Sequence, residues 1–156
     1  MRRYGRTAPR LRVERAGFTV IELIIVIIIF STVTSIALPA ISRITTHSRV
    51  NQAAMVVGHD LTVAASAAAR QRKPIRITLG GDRQSFTVAD RASATVLQTR
   101  WLGPDTQYGL DSVSFSASPV DLFPSGFASS ALTVTLSARG YSRQVTMSSA
   151  GWVRVP

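Results

Sequence analysis

An apolar segment near the N-terminus constrains the fold of this chain more than any other feature of its sequence. From Phe18 to Ile41 the chain runs for 24 residues, and Glu22 is the only charged residue among them. At 1.5 Å per residue a helix of this length spans about 36 Å, which exceeds the hydrocarbon core of a bilayer at about 30 Å. The segment therefore predicts one membrane-spanning helix. A carboxylate at membrane depth is costly, so Glu22 is a candidate functional residue.

Basic residues before this segment predict its orientation. Residues 1–17 contain six arginines and one acid, and they carry half of the formal net charge of +10. Basic residues beside a membrane helix stay on the cytoplasmic side. We therefore expect residues 1–17 in the cytoplasm and the chain after Ile41 on the other side of the membrane.

The remaining residue types argue against an enzyme or a metalloprotein. The 156 residues include no cysteine, which excludes disulfides, thiolate catalysis and cysteine-ligated metal sites. His47 and His59 lie twelve residues apart with no carboxylate cluster at ligand spacing, and the chain has no nucleophile elbow, S-x-x-K pair or phosphate-binding loop. We predict no catalytic residue, no metal site and no cofactor.

The helix is predicted to continue beyond the membrane. Small and apolar residues recur at spacings of three and four, which is typical of an amphipathic helix: Val50, Ala54, Val57, Leu61, Ala64 and Ala68. Pro74 predicts that the helix ends near Arg72. Pro39 removes one backbone hydrogen bond and predicts a kink.

After Pro74 the apolar residues alternate, which predicts strands. The alternating residues are Ile75, Ile77, Leu79, Phe86, Val88, Val113, Phe115, Ala117, Leu132, Val134, Leu136, Val145, Met147, Val153 and Val155. The predicted fold class is α+β, with an antiparallel sheet, or two small sheets, packed on the second half of the long helix. Trp101 and Trp152 are predicted to be partly buried packing residues.

The N-terminus has two interpretations. An ordinary signal peptide would be cut after a small-residue site such as Ser35-Ile36-Ala37 and would release a soluble domain beginning at Leu38. The long basic flank, the charge of Glu22 and the continuation of the apolar segment past this site favour a retained helix instead.

The stretch "GFTVIE", from Gly17 to Glu22, resembles the type III signal of prepilin-like proteins. The resemblance implies that a prepilin peptidase cuts after Gly17 and methylates the new amino group of Phe18. The predicted organisation is a cytoplasmic leader at 1–17, a transmembrane helix at 18–44, a periplasmic amphipathic continuation at 45–73 and a β-rich periplasmic domain at 74–156.

Two roles for Glu22 follow from this resemblance. Cleavage would create an ammonium group on Phe18, which is costly to carry unpaired into a helix bundle. Glu22 lies one turn away on its own helix and could pair with the Phe18 amine of a neighbouring subunit, which would set the register during filament assembly. The alternative is that Glu22 only complements the positive end of the helix dipole, at about 0.3 to 1 kcal/mol.

The stretch "LFPSGFASSALTVTLSARGYSRQVTMSSAGWVRV" resembles the C-terminal signature of the GspH/FimT family. The matching positions are Phe123, Pro124, Gly126, Leu136, Gly140, Arg143, Val145, Gly151, Val153 and Arg154. The resemblance implies a type IV pilin-like fold and a minor pseudopilin of a type II secretion system, at or near the tip of a periplasmic pseudopilus. A FimT-like minor pilin of a type IV pilus is the alternative.

The family resemblance also implies partners and a location. The partners would be the prepilin peptidase, other major and minor pseudopilins, an inner-membrane assembly platform and secreted cargo. The protein would cross the bacterial inner membrane once, with its C-terminal domain in the periplasm. Gly126, Gly140 and Gly151 are predicted to be turn or bulge residues with unusual backbone angles.

Arginines near the C-terminus form a candidate DNA-binding surface. Arg139, Arg143 and Arg154 lie in a stretch, 122–156, that has no acidic residue. Some FimT-like members bind DNA through a Gly-Arg-x-Arg-like element. Here that element is "GWVR", in which Trp152 replaces the first arginine, and this departure argues against nucleic-acid binding.

Overall fold

The computed structural model describes residues 17–156, without the side chain of Pro39. The predicted leader lies, except for Gly17, outside the described residues. The elements are α1 (Val20–Gln71), β1 (Ile75–Leu79), β2 (Ser85–Asp90), β3 (Val96–Trp101), β4 (Ser112–Phe115), β5 (Val120–Leu122), β6 (Leu132–Ala138), β7 (Tyr141–Met147) and β8 (Val153–Arg154). The chain divides into two compact units, of which the first ends at Pro39 and the second is Ala40–Pro156.

The end of α1 agrees with the prediction from the sequence. The helix ends at Gln71, the N–H of Lys73 donates to the carbonyl of Ala68 (3.3 Å), and Pro74 follows. Arg72 adopts a left-handed conformation (φ 53°), which is a common way to end a helix. Pro39 lies within α1, and the kink predicted there stays a prediction.

The first unit exposes its apolar side chains. Among the described residues, α1 is the one helix long and apolar enough to cross a membrane by length and composition. Its most apolar window of 18 residues has a mean hydropathy of 2.6, and none of that window is buried. A surface this apolar needs lipid or other apolar helices around it.

The second unit buries the predicted stripe of α1 against two antiparallel sheets. All six residues of the stripe are buried, together with Ala53. One sheet has the strand order β3-β2-β1-β5 and the other has the order β4-β6-β7-β8. Alternate residues of β6 enter the core, as the period of two predicts: Leu132, Val134, Leu136 and Ala138.

Two strands, β3 and β5, are additional to those predicted. In β3 the side chains of Gln98 and Arg100 lie on the face that β2 turns to the core, because their register partners are the buried residues Val88 and Phe86. Polar residues on the inner face hide the alternating pattern. β5 is only three residues long, which is too short to produce such a pattern.

The predicted burial of the two tryptophans is wrong. Trp101 is 60% exposed and Trp152 is 79% exposed. Trp101 ends the edge strand β3, and Trp152 lies in the turn between β7 and β8, so neither position has a second layer of structure to cover the indole.

Candidate functional site

The N-terminal site is a capping box at the start of α1. The hydroxyl Oγ1 of Thr19 accepts a hydrogen bond from the N–H of Glu22 (3.2 Å). In return, Oε2 of Glu22 accepts a longer hydrogen bond from the N–H of Thr19 (3.5 Å). This reciprocal arrangement satisfies two of the N–H groups that a helix leaves unpaired at its beginning.

The capping box gives Glu22 a local role besides any role in assembly. It holds the carboxylate at the positive end of the helix dipole, next to Phe18, whose side chain is 86% exposed. The two hydrogen bonds of the capping box both join Glu22 to Thr19. Thr19 was not among the residues predicted from the sequence, although the pattern T-x-x-E indicates a capping box.

The C-terminal signature contributes two loops that fit against each other. Gly126 (φ 89°) and Gly151 (φ 78°) have left-handed backbones, as predicted from the sequence. A Cβ atom on Gly151 would collide with the carbonyl oxygen of Gly126. The N–H of Ala128 donates to the carbonyl of Ser149 (2.8 Å), which joins the loop before β6 to the turn before β8. These signature glycines therefore act in packing and turn formation.

The three arginines of the candidate DNA-binding surface lie apart. Arg139 occupies the turn before Tyr141, whereas Arg154 pairs with Thr146, about 16 Å further along β7 at 3.3 Å per residue. Arg143 lies on the same face of β7 as the buried residues Val145 and Met147, and its Nε atom is buried without a hydrogen-bond partner among the described residues. Arg154 lies on the other face of the sheet from Arg143, because its register partner Thr146 is exposed. DNA binding by these residues stays a prediction.

Ion pairs join the helix and the strands of the second unit. Arg100 binds Asp60 of α1 through two hydrogen bonds, Nε to Oδ2 (2.6 Å) and Nη2 to Oδ1 (2.8 Å). Arg76 binds Asp121 in the same bidentate way (2.7 and 3.1 Å), and Arg91 approaches the Asp121 carboxylate at 3.2 Å. The hydrogen bonds and charge of Arg76, with the charge of Arg91, hold the pKa of Asp121 below its ordinary value.

Side chains that could hold a metal ion do not cluster in the described part of the chain. Between residues 17 and 156 no three His, Asp or Glu side chains come together as ligands. The carboxylates of Asp60 and Asp121 instead form ion pairs with Arg100 and Arg76, respectively.

Known proteins resemble this chain in sequence and in structure. The model of the family described as "Type II transport protein GspH" matches residues 53–151. Two crystal structures of the type IV minor pilin FimU from Pseudomonas aeruginosa PAO1 have TM-scores of 0.60 and 0.56 at 19% identity, covering 72% and 67% of this chain and 92% and 90% of that chain. The minor pseudopilin EpsH from the type 2 secretion system of Vibrio cholerae has a TM-score of 0.51 at 14% identity, covering 69% of this chain and 96% of that one. No match was found among curated protein sequences.

Proposed function

Because this chain belongs to the GspH family of type II transport proteins, we propose that it is a minor pseudopilin of a type II secretion system. The observation that carries the proposal is the family match over residues 53–151, which includes strands β1 to β7 and α1 from Ala53 to its end. The fold is the predicted type IV pilin-like α+β fold, with one long apolar helix and antiparallel sheets. A pilin-like minor subunit is therefore the general function, and the secretion pseudopilus is the specific assignment that we propose.

The apolar half of α1 supports a subunit that is first anchored and then assembled. One apolar N-terminal helix in a protein of this family indicates a single-pass membrane protein. The basic flank before Gly17 supports an orientation with the N-terminus in the cytoplasm, the helix in the inner membrane and the sheets in the periplasm. In a filament the exposed side chains of the first unit would pack on the helices of other subunits instead of lipid.

Maturation would create the group that Glu22 is proposed to bind. Hydrolysis of the peptide bond between Gly17 and Phe18 by the prepilin peptidase leaves an amino group on Phe18, which is then methylated and still carries a proton at neutral pH. The capping box holds the Glu22 carboxylate beside the start of the helix. A neighbouring subunit would present its Phe18 ammonium to this carboxylate, and the pair would fix the register of the two subunits.

The second unit would provide the contacts that are specific to this subunit. We assign it no catalytic activity, and its partners would be other major and minor pseudopilins, the inner-membrane assembly platform and secreted cargo. A position at or near the filament tip would leave the sheets exposed to such partners. Exposed residues of the signature loops, Phe127 and Trp152, are available for these contacts.

A FimT-like minor pilin of a type IV pilus is the second candidate. The fold of FimU is at least as similar to this chain as the fold of EpsH is, so fold similarity does not favour the secretion filament over the pilus. DNA binding for uptake belongs to this candidate and depends on Arg139, Arg143 and Arg154.

Deletion of the gene followed by a secretion assay tests the proposal. We expect the major secreted hydrolase of the strain to remain in the periplasm, and the wild-type chain to restore its release into the medium. Glu22→Ala should not restore release although the chain is processed and inserted. Asp105→Ala is the matched control, since it removes an exposed carboxylate from the second unit.

Normal secretion in the deletion strain would contradict the proposal. Loss of pili or of DNA uptake in that strain would then favour the type IV pilus. Restored release by Glu22→Ala would refute the pairing of Glu22 with Phe18 and leave the secretion assignment intact.

A further inference from the structure

A cleft runs beside the first turns of α1 within the second unit. It consists of two adjoining pockets of about 160 Å³ and about 170 Å³, which share Thr46 and Arg139. The first pocket extends under the loop of Tyr108 and Gly109, and the second extends along α1 to Arg43. We call the two pockets together the Arg139 cleft.

The Arg139 cleft is positively charged. Arg43, Arg49 and Arg139 line it with His47, and Asp111 is its acidic residue. Oδ2 of Asp111 already accepts a hydrogen bond from the backbone N–H of Arg139 (2.6 Å). None of the ion pairs formed between described residues involves the three guanidinium groups. Arg49 therefore lines the first pocket, Arg43 the second and Arg139 both, with their donors available to an anion.

Aromatic rings form one side of the cleft. The rings of His47 and Tyr141 stack with their centroids 3.8 Å apart and their planes at 19°. This stack joins the helix to the first residue of β7, two positions after Arg139, and Arg139 and Arg43 line the same pocket. Tyrosine is typical of the interface between lipid and water, because its ring is apolar and its hydroxyl is polar.

The position of the cleft along the chain matches the headgroup layer of a membrane. Arg43 follows the last residue of the apolar segment, Ile41, by two positions, and Arg49 lies about 12 Å further along the helix than Ile41. The headgroup regions of a bilayer occupy the layer immediately outside its hydrocarbon core. Ile41 and Ile44 are exposed beside Arg43, so a lipid tail would find apolar contacts next to the cleft.

We propose that the Arg139 cleft binds the phosphate of an anionic phospholipid in the membrane leaflet next to the sheets. The three arginines would donate hydrogen bonds to the phosphate oxygens, and the lipid tails would follow Ile41 and Ile44. Lysine and arginine are also attracted by the negative charge of anionic lipid headgroups. The site goes beyond the proposed function and depends only on membrane anchoring, so its failure would leave the secretion assay unaffected.

Lipid binding by the full chain tests the proposal. The chain is purified in a neutral detergent, and mass spectrometry that preserves non-covalent complexes measures its binding of phosphatidylglycerol, phosphatidylcholine and inorganic phosphate. We expect one phosphatidylglycerol per chain, bound at least about tenfold more tightly than phosphatidylcholine. The triple variant Arg43→Gln, Arg49→Gln, Arg139→Gln should lose this preference.

The matched control is the triple variant Arg70→Gln, Arg72→Gln, Arg83→Gln. It removes the same charge from exposed positions that do not line the cleft and should keep the preference. Equal binding of the two lipids, or an equal loss in both triple variants, would overturn the proposal. Binding of inorganic phosphate as tightly as phosphatidylglycerol would also overturn it, because the site would then recognise a soluble anion.

Discussion

Asp60 carries a buried negative charge that is compensated by Arg100. Its residue is 3% exposed, and both of its carboxylate oxygens accept hydrogen bonds from Arg100 of β3. Removing one member of a buried pair leaves the other charge without compensation, which costs more than the pair contributes as a whole. The pair therefore fixes the edge strand β3 to α1.

The substitution Arg100→Gln should lower the free energy of unfolding by about 2 to 3 kcal/mol, because it leaves the Asp60 carboxylate buried and unpaired. Urea unfolding of the full chain in detergent measures this change. Lys73→Gln is the matched control: its contact with Asp90 is long, at 3.8 Å, and Lys73 is 63% exposed, so a change below about 0.5 kcal/mol is expected. Equal effects of the two substitutions would contradict the structural role of Arg100.

Alanine substitutions at Gly140 and Gly151 distinguish the cost of backbone strain from the cost of a steric collision. Both have left-handed backbones, with φ of 80° and 78°, but a Cβ atom has open space at Gly140 and meets the carbonyl of Gly126 at Gly151. Gly140→Ala should cost about 1 to 2 kcal/mol from the backbone alone. Gly151→Ala should cost at least about 1 kcal/mol more in the same unfolding measurement, because the loop of Gly126 must also move. Equal costs would mean that this loop moves freely.

At the scale of elements, an ion pair across β1 and β5 makes stability depend on pH. Arg76 and Asp121 are register partners on these strands, and hydrogen bonds from Arg76 lower the pKa of Asp121. The unfolded carboxyl has a pKa of about 3.9, so the pair stabilises the fold above that pH, and this contribution is lost as the pH falls below about 4. Unfolding midpoints between pH 2 and 7 should show this loss, and Asp121→Asn should flatten the curve. An unchanged curve would contradict the assignment.

The small side chains of α1 set its distance from the sheets. Ala68 is buried, whereas its neighbour Ala69 is exposed. Ala68→Leu should lower the free energy of unfolding by about 1 to 3 kcal/mol, because the added atoms overfill a packed interface. Ala69→Leu adds the same atoms on the solvent side and should change it by less than about 0.5 kcal/mol. The reverse order would mean that the sheet does not cover this face of the helix.

Sequence patterns were sufficient to predict those helices and strands that have one buried face. The helical stripe from Val50 to Ala68 and the alternation in β6 predicted both the helix and the sheet packing, because burial alone decides those positions. β3 was missed because Arg100 faces inward to Asp60, a partner 40 positions away that local periodicity does not reveal. The capping box could have been predicted, since Thr19 and Glu22 are close in sequence.

Maturation is a property of the whole molecule, because cleavage determines the N-terminus of the chain that would enter a filament. Intact mass of the membrane-extracted protein should correspond to a chain that begins at Phe18 and carries one additional methyl group. Gly17→Val should leave the full precursor, whereas Gly5→Val, which replaces a glycine outside the signal, should leave processing unchanged. A chain that begins at Leu38 would instead establish an ordinary signal peptide and refute the prepilin interpretation.

Gly58 connects the middle of the helix with the end of the sheet. A Cβ atom at this position would lie 2.5 Å from Cγ2 of Val155 and near Val145 and Val153. Glycine weakens a helix interior by about 1 kcal/mol relative to alanine, and here its lack of a side chain makes room for the strand. In evolutionary terms, substitutions at positions 58 and 155 should therefore depend on each other. Among homologues, a larger residue at 58 should occur together with a smaller one at 155, as a pair of correlated substitutions nearly a hundred positions apart.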